Sequence, residues 1–165
     1  MGTLVVTALL ALAQLQGPTG PVRFGVVRDG LYRGGQPTAQ HLALLRALGV
    51  ETIVDLRRGD ASAEEAEARR LGMRVVRFPF SGLLVSNREF LVGIVEAVRG
   101  GGRVYVHCQE GRDRTSLVVA LYRVLVDGWE PSVAWQREAV AYGYVAWPWH
   151  PAIQASYRAA VRSGR

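Results

Sequence analysis

A chain of 165 residues, 49% hydrophobic and free of repeats and low-complexity tracts, is globular and long enough to bury one core as a single domain. Its formal charge of +6 rests on 20 basic residues, all arginine, scattered without interleaved aromatics. That pattern argues against a nucleic-acid partner and fits a compositional bias, with a taste for anionic ligands as the functional alternative. One cysteine excludes an internal disulfide, and the separated His41, His107 and His150 offer no metal-ligand spacing, so neither metal nor cofactor is expected.

The uncharged run from Leu4 to Ala13 ends in Ala11-Leu12-Ala13, an A-x-A-like cleavage site. Residues 1–16 therefore read as a signal peptide or N-terminal leader, which implies a periplasmic or secreted chain if it is removed. The alternative is an N-terminal helix packed on a cytoplasmic domain. The run is too short for a stable membrane span. Residues 17–21, Gly-Pro-Thr-Gly-Pro, read as a linker, and the folded domain as 22–165.

Val22–Val27 and Leu31–Arg33 read as strands joined by an Asp29-Gly30 turn. Gln36-Pro37-Thr38 opens a helix with Leu42, Leu45 and Leu48 on one face and Gly49 as its stop. Thr52–Leu56 is a buried strand delivering Asp55, Arg57, Arg58 and Asp60 to its carboxyl end, the edge where α/β sheets bind ligands. Ser62 to Glu65 reads as a capping box for a helix ending at Gly72, followed by a strand over Arg74–Phe78. Ser86 to Glu89 reads as a second capping box, with Phe90, Ile94 and Val98 on the next helix. After Gly100-Gly101-Gly102 come a strand over Val104–Val106 and a helix from about Arg114. A further helix opens at Pro131, an aromatic loop covers Tyr142–Pro151, and a last helix runs to about Arg162. Alternating strands and helices predict an α/β domain with a mostly parallel central sheet and helices on both faces.

The chemistry gathers between the Val104 strand and the Arg114 helix, in His107-Cys108-Gln109-Glu110-Gly111-Arg112-Asp113-Arg114-Thr115. A strand, tight loop and helix start aim successive N–H groups and the positive end of a helix dipole at one place, which suits a phosphate. A thiol at a helix N-terminus beside a cation becomes a better nucleophile through its thiolate. The amides of Gln109 to Asp113 can wrap phosphoryl oxygens, and the Arg114 fork can bind two of them. Gly111 permits the close backbone approach, and Thr115 can donate a hydroxyl to the sulfur. His107, one position before Cys108 on a strand, points to the opposite face and orders the loop from behind.

These residues carry a resemblance. The His-Cys, five residues, Arg-Thr pattern is similar to the signature of the cysteine-dependent protein tyrosine phosphatase superfamily. The order of elements resembles its atypical dual-specificity branch, as do LYRGGQPT at Leu31–Thr38 and VDLR at Val54–Arg57. The resemblance spans about Arg23 to Tyr144. It implies a dual-specificity phosphatase-like fold, a phosphorylated small molecule or phosphoprotein as substrate, and a cysteinyl-phosphate intermediate. Cys108 and Arg114 would be catalytic, with Gln109, Glu110, Gly111, Arg112, Asp113, Arg114 and Thr115 holding phosphate. It leaves the oligomeric state open.

One departure matters. The loop Pro79–Ser86, where the superfamily usually carries its acid, holds no carboxylate. Asp113 is the replacement proton carrier in this reading, resembling the arrangement in myotubularins, with a scaffold role as its alternative; Glu110 and Asp60 are weaker candidates. A missing acid favours phosphotyrosine-like or pyrophosphate-like substrates, whose leaving groups need less help. Arg112, with Arg57 and Arg58, would suit an inositol phosphate or another polyanion, and Trp147 to His150 would rim the cleft. The rival functions are a catalytically weak phosphate-binding module and a rhodanese-like sulfurtransferase.

Overall fold

Strand pairing decides the architecture. The computed structural model describes residues 2–147 and 151–162, with side chains from residue 5 onward. Strands β1 (Gly25–Arg28), β2 (Leu31–Gly34), β3 (Thr52–Asp55), β4 (Arg74–Arg77) and β5 (Val104–His107) form one sheet in the order β1-β2-β5-β3-β4. Only the β1–β2 hairpin is antiparallel; the β2–β5, β5–β3 and β3–β4 pairs are all parallel. The Asp29-Gly30 turn forms as expected, with Gly30 at φ 77°.

The helices are α1 (Gly2–Gln16), α2 (Ala39–Ala47), α3 (Ser62–Arg70), α4 (Arg88–Gly100), α5 (Asp113–Leu125), α6 (Pro131–Glu138) and α7 (Ala152–Arg162), with a 3-10 turn at Val140–Tyr142. They divide between the two faces of the sheet. Val54, Val104 and Val106 point into a core shared with Leu91 and Ile94 of α4, Leu117 and Leu121 of α5, Trp135 of α6 and Tyr157 of α7. Ile53 and Tyr105, the alternate residues of the same strands, point into a second core with Ala11 and Leu15 of α1, Leu42 and Leu45 of α2 and Ala68 of α3. Period-two alternation on a sheet covered on both faces therefore sorts the apolar residues into two layers.

Two caps differ from the expected boxes. Helix α3 begins at Ser62 itself, and the Asp60 carboxylate accepts from the Ser62 amide at 2.9 Å and from its hydroxyl at 3.0 Å. The acids meant for the box are engaged elsewhere: Glu65 pairs with Arg69 at 3.1 Å, and Glu64 turns inward to Arg57 at 2.7 Å. At α4 the cap is Asn87, whose side chain accepts from the Phe90 amide at 2.8 Å, because the Ser86 amide is drawn to the Ser156 hydroxyl at 2.9 Å. Glu89 lies in the first turn of α4, outside the cap. An additional box opens α2: Thr38 accepts from the His41 amide, and His41 Nδ1 accepts from the Thr38 amide at 3.2 Å. His41 Nε2 lies 2.6 Å from the Thr19 carbonyl, tying residues 17–21 to α2.

Residues 2–16, expected as a leader or as a packed helix, form α1, whose Ala11 and Leu15 are 3% and 1% exposed. Its outer face leaves Val5, Val6, Leu9 and Leu10 exposed. Among the described residues no helix is long and apolar enough to cross a membrane. Because Leu15 sits in a closed layer, Leu15→Ala is expected to cost about 2–5 kcal/mol in urea unfolding of the full chain. A cost near zero would mean that α1 does not contribute to the second core.

Candidate active site

The site lies at the carboxyl ends of β5, β3 and β2, where the chain leaves β5 and enters α5. Alternation along β5 continues through its last residue. His107 stacks on Tyr105 at 5.6 Å between centroids, on the α1–α3 side, while Cys108 joins the opposite core. His107 thus lies behind the loop. Its Nε2 meets Glu64 Oε1 at 2.9 Å, and its Nδ1 lies 3.2 Å from the Cys108 carbonyl.

Behind His107 is a buried charged cluster. Arg57 donates from Nε to Asp55 Oδ1 at 2.8 Å, and from Nη2 to Asp55 Oδ2 at 3.0 Å and to Glu64 Oε2 at 2.7 Å. Arg77 adds a bond to Asp55 Oδ2 at 3.2 Å and holds the carbonyls of Arg57 and Gly59 at 3.1 and 2.7 Å. Asp55, Glu64 and His107 stand close enough together to ligate a metal ion. The Arg57 guanidinium bridges both carboxylates, however, so the compensating positive charge there is organic. Burial pushes the Asp55 carboxyl up, but bonds from Arg57 and the His107 charge outweigh it and hold it below the usual carboxylate range.

The loop backbone is held from outside at four successive carbonyls. Cys108 O faces His107 Nδ1, and Gln109 O accepts from the Gln36 amide at 3.1 Å. Glu110 O accepts from Arg23 Nη1 at 3.0 Å, and Gly111 O from Arg33 Nη2 at 3.1 Å. In a planar trans peptide the N–H points opposite to the C=O. Each captured carbonyl therefore turns the next N–H, of Gln109, Glu110, Gly111 and Arg112, to the other side of the loop. Gly111 is at φ 68°, and a Cβ there would lie 2.5 Å from Gly34 C and 2.6 Å from Gly35 N. Only glycine lets the loop rest on the end of β2.

A cavity of about 100 Å³ is lined by Cys108, Gln109, Glu110, Arg112, Asp113 and Arg114. A second, of about 360 Å³, adjoins it, sharing Arg112, Asp113 and Arg114 and adding Leu83, Tyr144, Val145, Trp147 and Ile153. Arg114 Nη1 is anchored on the carbonyls of Leu56 at 3.0 Å and Phe80 at 3.4 Å, which fixes the guanidinium beside the loop.

The remaining expected residues fall as follows. Asp113 heads α5 with its carboxylate on Arg112, at 3.1 Å from Nε and 3.3 Å from Nη2. Glu110 is exposed and pairs with Arg112 at 3.5 Å and Arg23 at 3.9 Å. Asp60 caps the start of α3, and the Ser62 amide and hydroxyl that it accepts from lower its pKa. The Thr115 hydroxyl, expected at the sulfur, lies 3.5 Å from the Gly34 carbonyl behind the loop. Of the three arginines expected to meet a polyanion, Arg57 is buried behind the loop, Arg58 is exposed, and Arg112 is paired with the two loop carboxylates. Trp147 does line the larger cavity, and Pro148, Trp149 and His150 lie outside the described residues. Sequence reasoning passed over Arg23, Arg33 and Gln36, whose partners stand 87, 78 and 73 positions away. The one local signal was Arg23 and the Gly34-Gly35-Gln36 turn falling within the segment of resemblance.

A parallel sheet whose central strand runs through a Cys–loop–Arg cradle into a helix defines the dual-specificity type of cysteine-dependent phosphatase fold. Residues 27–143, well over half of the chain, match the family described as DSP-PTPase phosphatase fused to NAD+ kinase, and the chain belongs to that family. The dual specificity protein phosphatase TpbA of Pseudomonas aeruginosa (strain UCBPP-PA14) is 37% identical over 106 residues, 63% of this chain and 47% of TpbA. An inositol diphosphatase of Oryza sativa subsp. japonica is 30% identical over 116 residues, 64% of this chain and 55% of that protein. The crystal structure of P. aeruginosa TpbA in complex with pTyr superimposes with a TM-score of 0.74 at 26% identity, covering 87% of each chain. The chain thus spans about half the length of these two curated relatives.

The charged cluster gives a pH prediction. A carboxyl whose folded pKa is depressed stabilises the fold above its unfolded pKa, and loses that contribution as pH falls through the folded value. Asp55→Asn is expected to destabilise the chain by about 3 kcal/mol or more at pH 7, since it leaves Arg57 short of a buried partner. The difference from wild type should shrink once pH falls below about 3.9, the ordinary Asp value, and through the lower folded one. Urea unfolding across pH reads it; a gap independent of pH would contradict the assignment.

Proposed function

We propose that this chain is a cysteine-dependent phosphatase that hydrolyses phosphate monoesters, with aryl esters of the phosphotyrosine kind as its substrate class. The observation that carries the reading is the set of four outward-held carbonyls. They leave four consecutive N–H groups and the Arg114 guanidinium available to one small cavity at Cys108. The description of TpbA as a dual specificity protein phosphatase, and its complex with pTyr, support the same class.

In this reaction Cys108 Sγ bonds to phosphorus as the bond from phosphorus to the leaving oxygen breaks. The leaving oxygen takes a proton from Asp113. Negative charge on the three equatorial oxygens meets the amides of Gln109 to Arg112 and the Arg114 fork, donors already oriented before the reaction begins. Water then attacks the cysteinyl-phosphate, gives its proton to Asp113, and releases inorganic phosphate and the thiolate. The scheme calls for no metal or cofactor.

Three features favour an aryl ester. The larger cavity has apolar walls in Leu83, Val145, Trp147 and Ile153, which suit an aromatic ring. Arg112 and Arg57 are both neutralised by carboxylates and so poorly placed to meet a second phosphate. The Pro79–Ser86 loop carries no acid and its stand-in, Asp113, is held in an ion pair by Arg112, so proton donation falls short of the roughly 10²–10⁴ in rate that general acid catalysis commonly contributes. The shortfall is smallest for a phenol leaving group.

The full chain is therefore expected to hydrolyse para-nitrophenyl phosphate and a phosphotyrosine peptide, and Cys108→Ser to abolish both. A phosphoserine peptide should be slower by about 10²-fold or more. Equal efficiency on the two peptides would contradict the aryl preference, and a preference for an inositol diphosphate would replace it with a polyanion. Tungstate binding without turnover would make the chain a phosphate-binding module, and thiocyanate formed from thiosulfate and cyanide would make it a sulfurtransferase.

A further inference from the structure

Arg33, on β2, is fully buried, and its guanidinium is shared between the cradle loop and α6. Nη2 donates to Gly111 O at 3.1 Å and to Ser116 Oγ at 2.7 Å. Nη1 donates to the main-chain carbonyl of Glu138 and to its carboxylate Oε2 at 3.2 Å. The guanidinium carbon lies 3.6 Å from the ring centroid of Tyr142, and Nε is buried without a partner among the described residues. The other oxygen of Glu138 accepts from Arg123 Nε at 2.8 Å, so α5 and α6 fix the carboxylate that fixes Arg33.

Stability alone does not account for such a group. Burial works against the charged guanidinium, lowering its pKa despite Glu138. Buried ion pairs can commonly be replaced by apolar residues of similar volume at no cost in stability. What an apolar residue could not do is hold the Gly111 carbonyl. That carbonyl belongs to the peptide whose N–H is Arg112, and Gly111 at φ 68° lies flat against Gly34 and Gly35 with no side chain to hold the peptide plane. A glycine peptide at that point could rotate either way.

We propose that Arg33 is a positioning residue for the phosphatase reaction, clamping the Gly111 carbonyl so that the Arg112 N–H faces the cavity at Cys108 and Arg114 as an oxyanion donor. Glu138 acts one step further back, by holding Arg33. The inference rests on the phosphatase reading for its kinetic consequence, but its effect on oxyanion binding does not depend on turnover.

The test uses the full chain carrying Arg33→Lys or Arg33→Met. Lysine keeps a cation beside Glu138 but lacks the second arm that reaches Gly111. Both variants are expected to bind tungstate at least about tenfold more weakly. With para-nitrophenyl phosphate, kcat should fall by about 10²–10³, the usual cost of one oriented oxyanion donor, with KM little changed. A purely structural role would lower the unfolding midpoint but leave the tungstate affinity and kcat of the folded fraction intact, and that result would overturn the proposal. If wild type binds tungstate but shows no turnover, the phosphatase reading fails while the tungstate comparison still decides the role of Arg33. Wild type supplies a further arm, independent of whether the variants fold: the Arg112 amide resonance should shift on tungstate addition together with that of Gln109. A Gln109 shift with Arg112 unmoved would also overturn it.

Discussion

The planarity of the peptide unit is the constraint on which this site depends. A loop of five residues cannot choose independently where its N–H groups point; it can only be held by its carbonyls. Here those holds come from four parts of the chain: His107 from β5, the Gln36 amide after β2, Arg23 from the segment before β1, and Arg33 from β2. Among the described residues none of the four lines the cavity at Cys108, and each fixes the direction of the next N–H along the loop. Arg23 sits at φ 55°, a backbone conformation rare for arginine, and its side chain reaches Glu110 from there. Strain at such a position is characteristic of residues that the surrounding structure needs in one place.

The sheet makes these holds possible. Because β2 and β3 both flank β5 in parallel register, their carboxyl ends arrive level with the loop. From one side β2 brings Arg33 and the Gly34-Gly35 platform. On the other, β3 brings Asp55, the Leu56 carbonyl that anchors Arg114, and Arg57. Alternation along β5 then separates two neighbouring residues: Cys108 enters the α4–α7 face, and His107 enters a charged cluster on the α1–α3 face. The nucleophile candidate and its support are consecutive in the chain and lie on opposite sides of the sheet.

Much of this was legible in the sequence, for physical reasons. The five strands, the six helices after α1 and the mostly parallel order follow from apolar periodicity and from Gly, Pro and Asn punctuation. The cradle followed from the spacing of Cys108 and Arg114 around Gly111. What was not legible depended on contacts remote in sequence. Nothing near Arg33 says that its guanidinium meets Gly111, and nothing near Glu64 says that it turns inward to His107 rather than outward to solvent. Arg57 looked like a ligand-binding charge because strand-end arginines often are; burial with Asp55 and Glu64 gives it structural work instead. For residues 2–16, hydropathy alone does not separate a leader from a helix with one face against α2, and only packing reveals Leu15 in the second core.

The central claim is that the Gln109–Arg112 amides form the oxyanion cradle at Cys108. A crystal structure of the full chain with vanadate tests it most directly. The account predicts vanadium bonded to Cys108 Sγ, with equatorial oxygens roughly 2.7–3.2 Å from those amide nitrogens and from the Arg114 fork. Vanadate seated elsewhere, or a loop whose Gly111 carbonyl has turned away from Arg33 toward the anion, would contradict it.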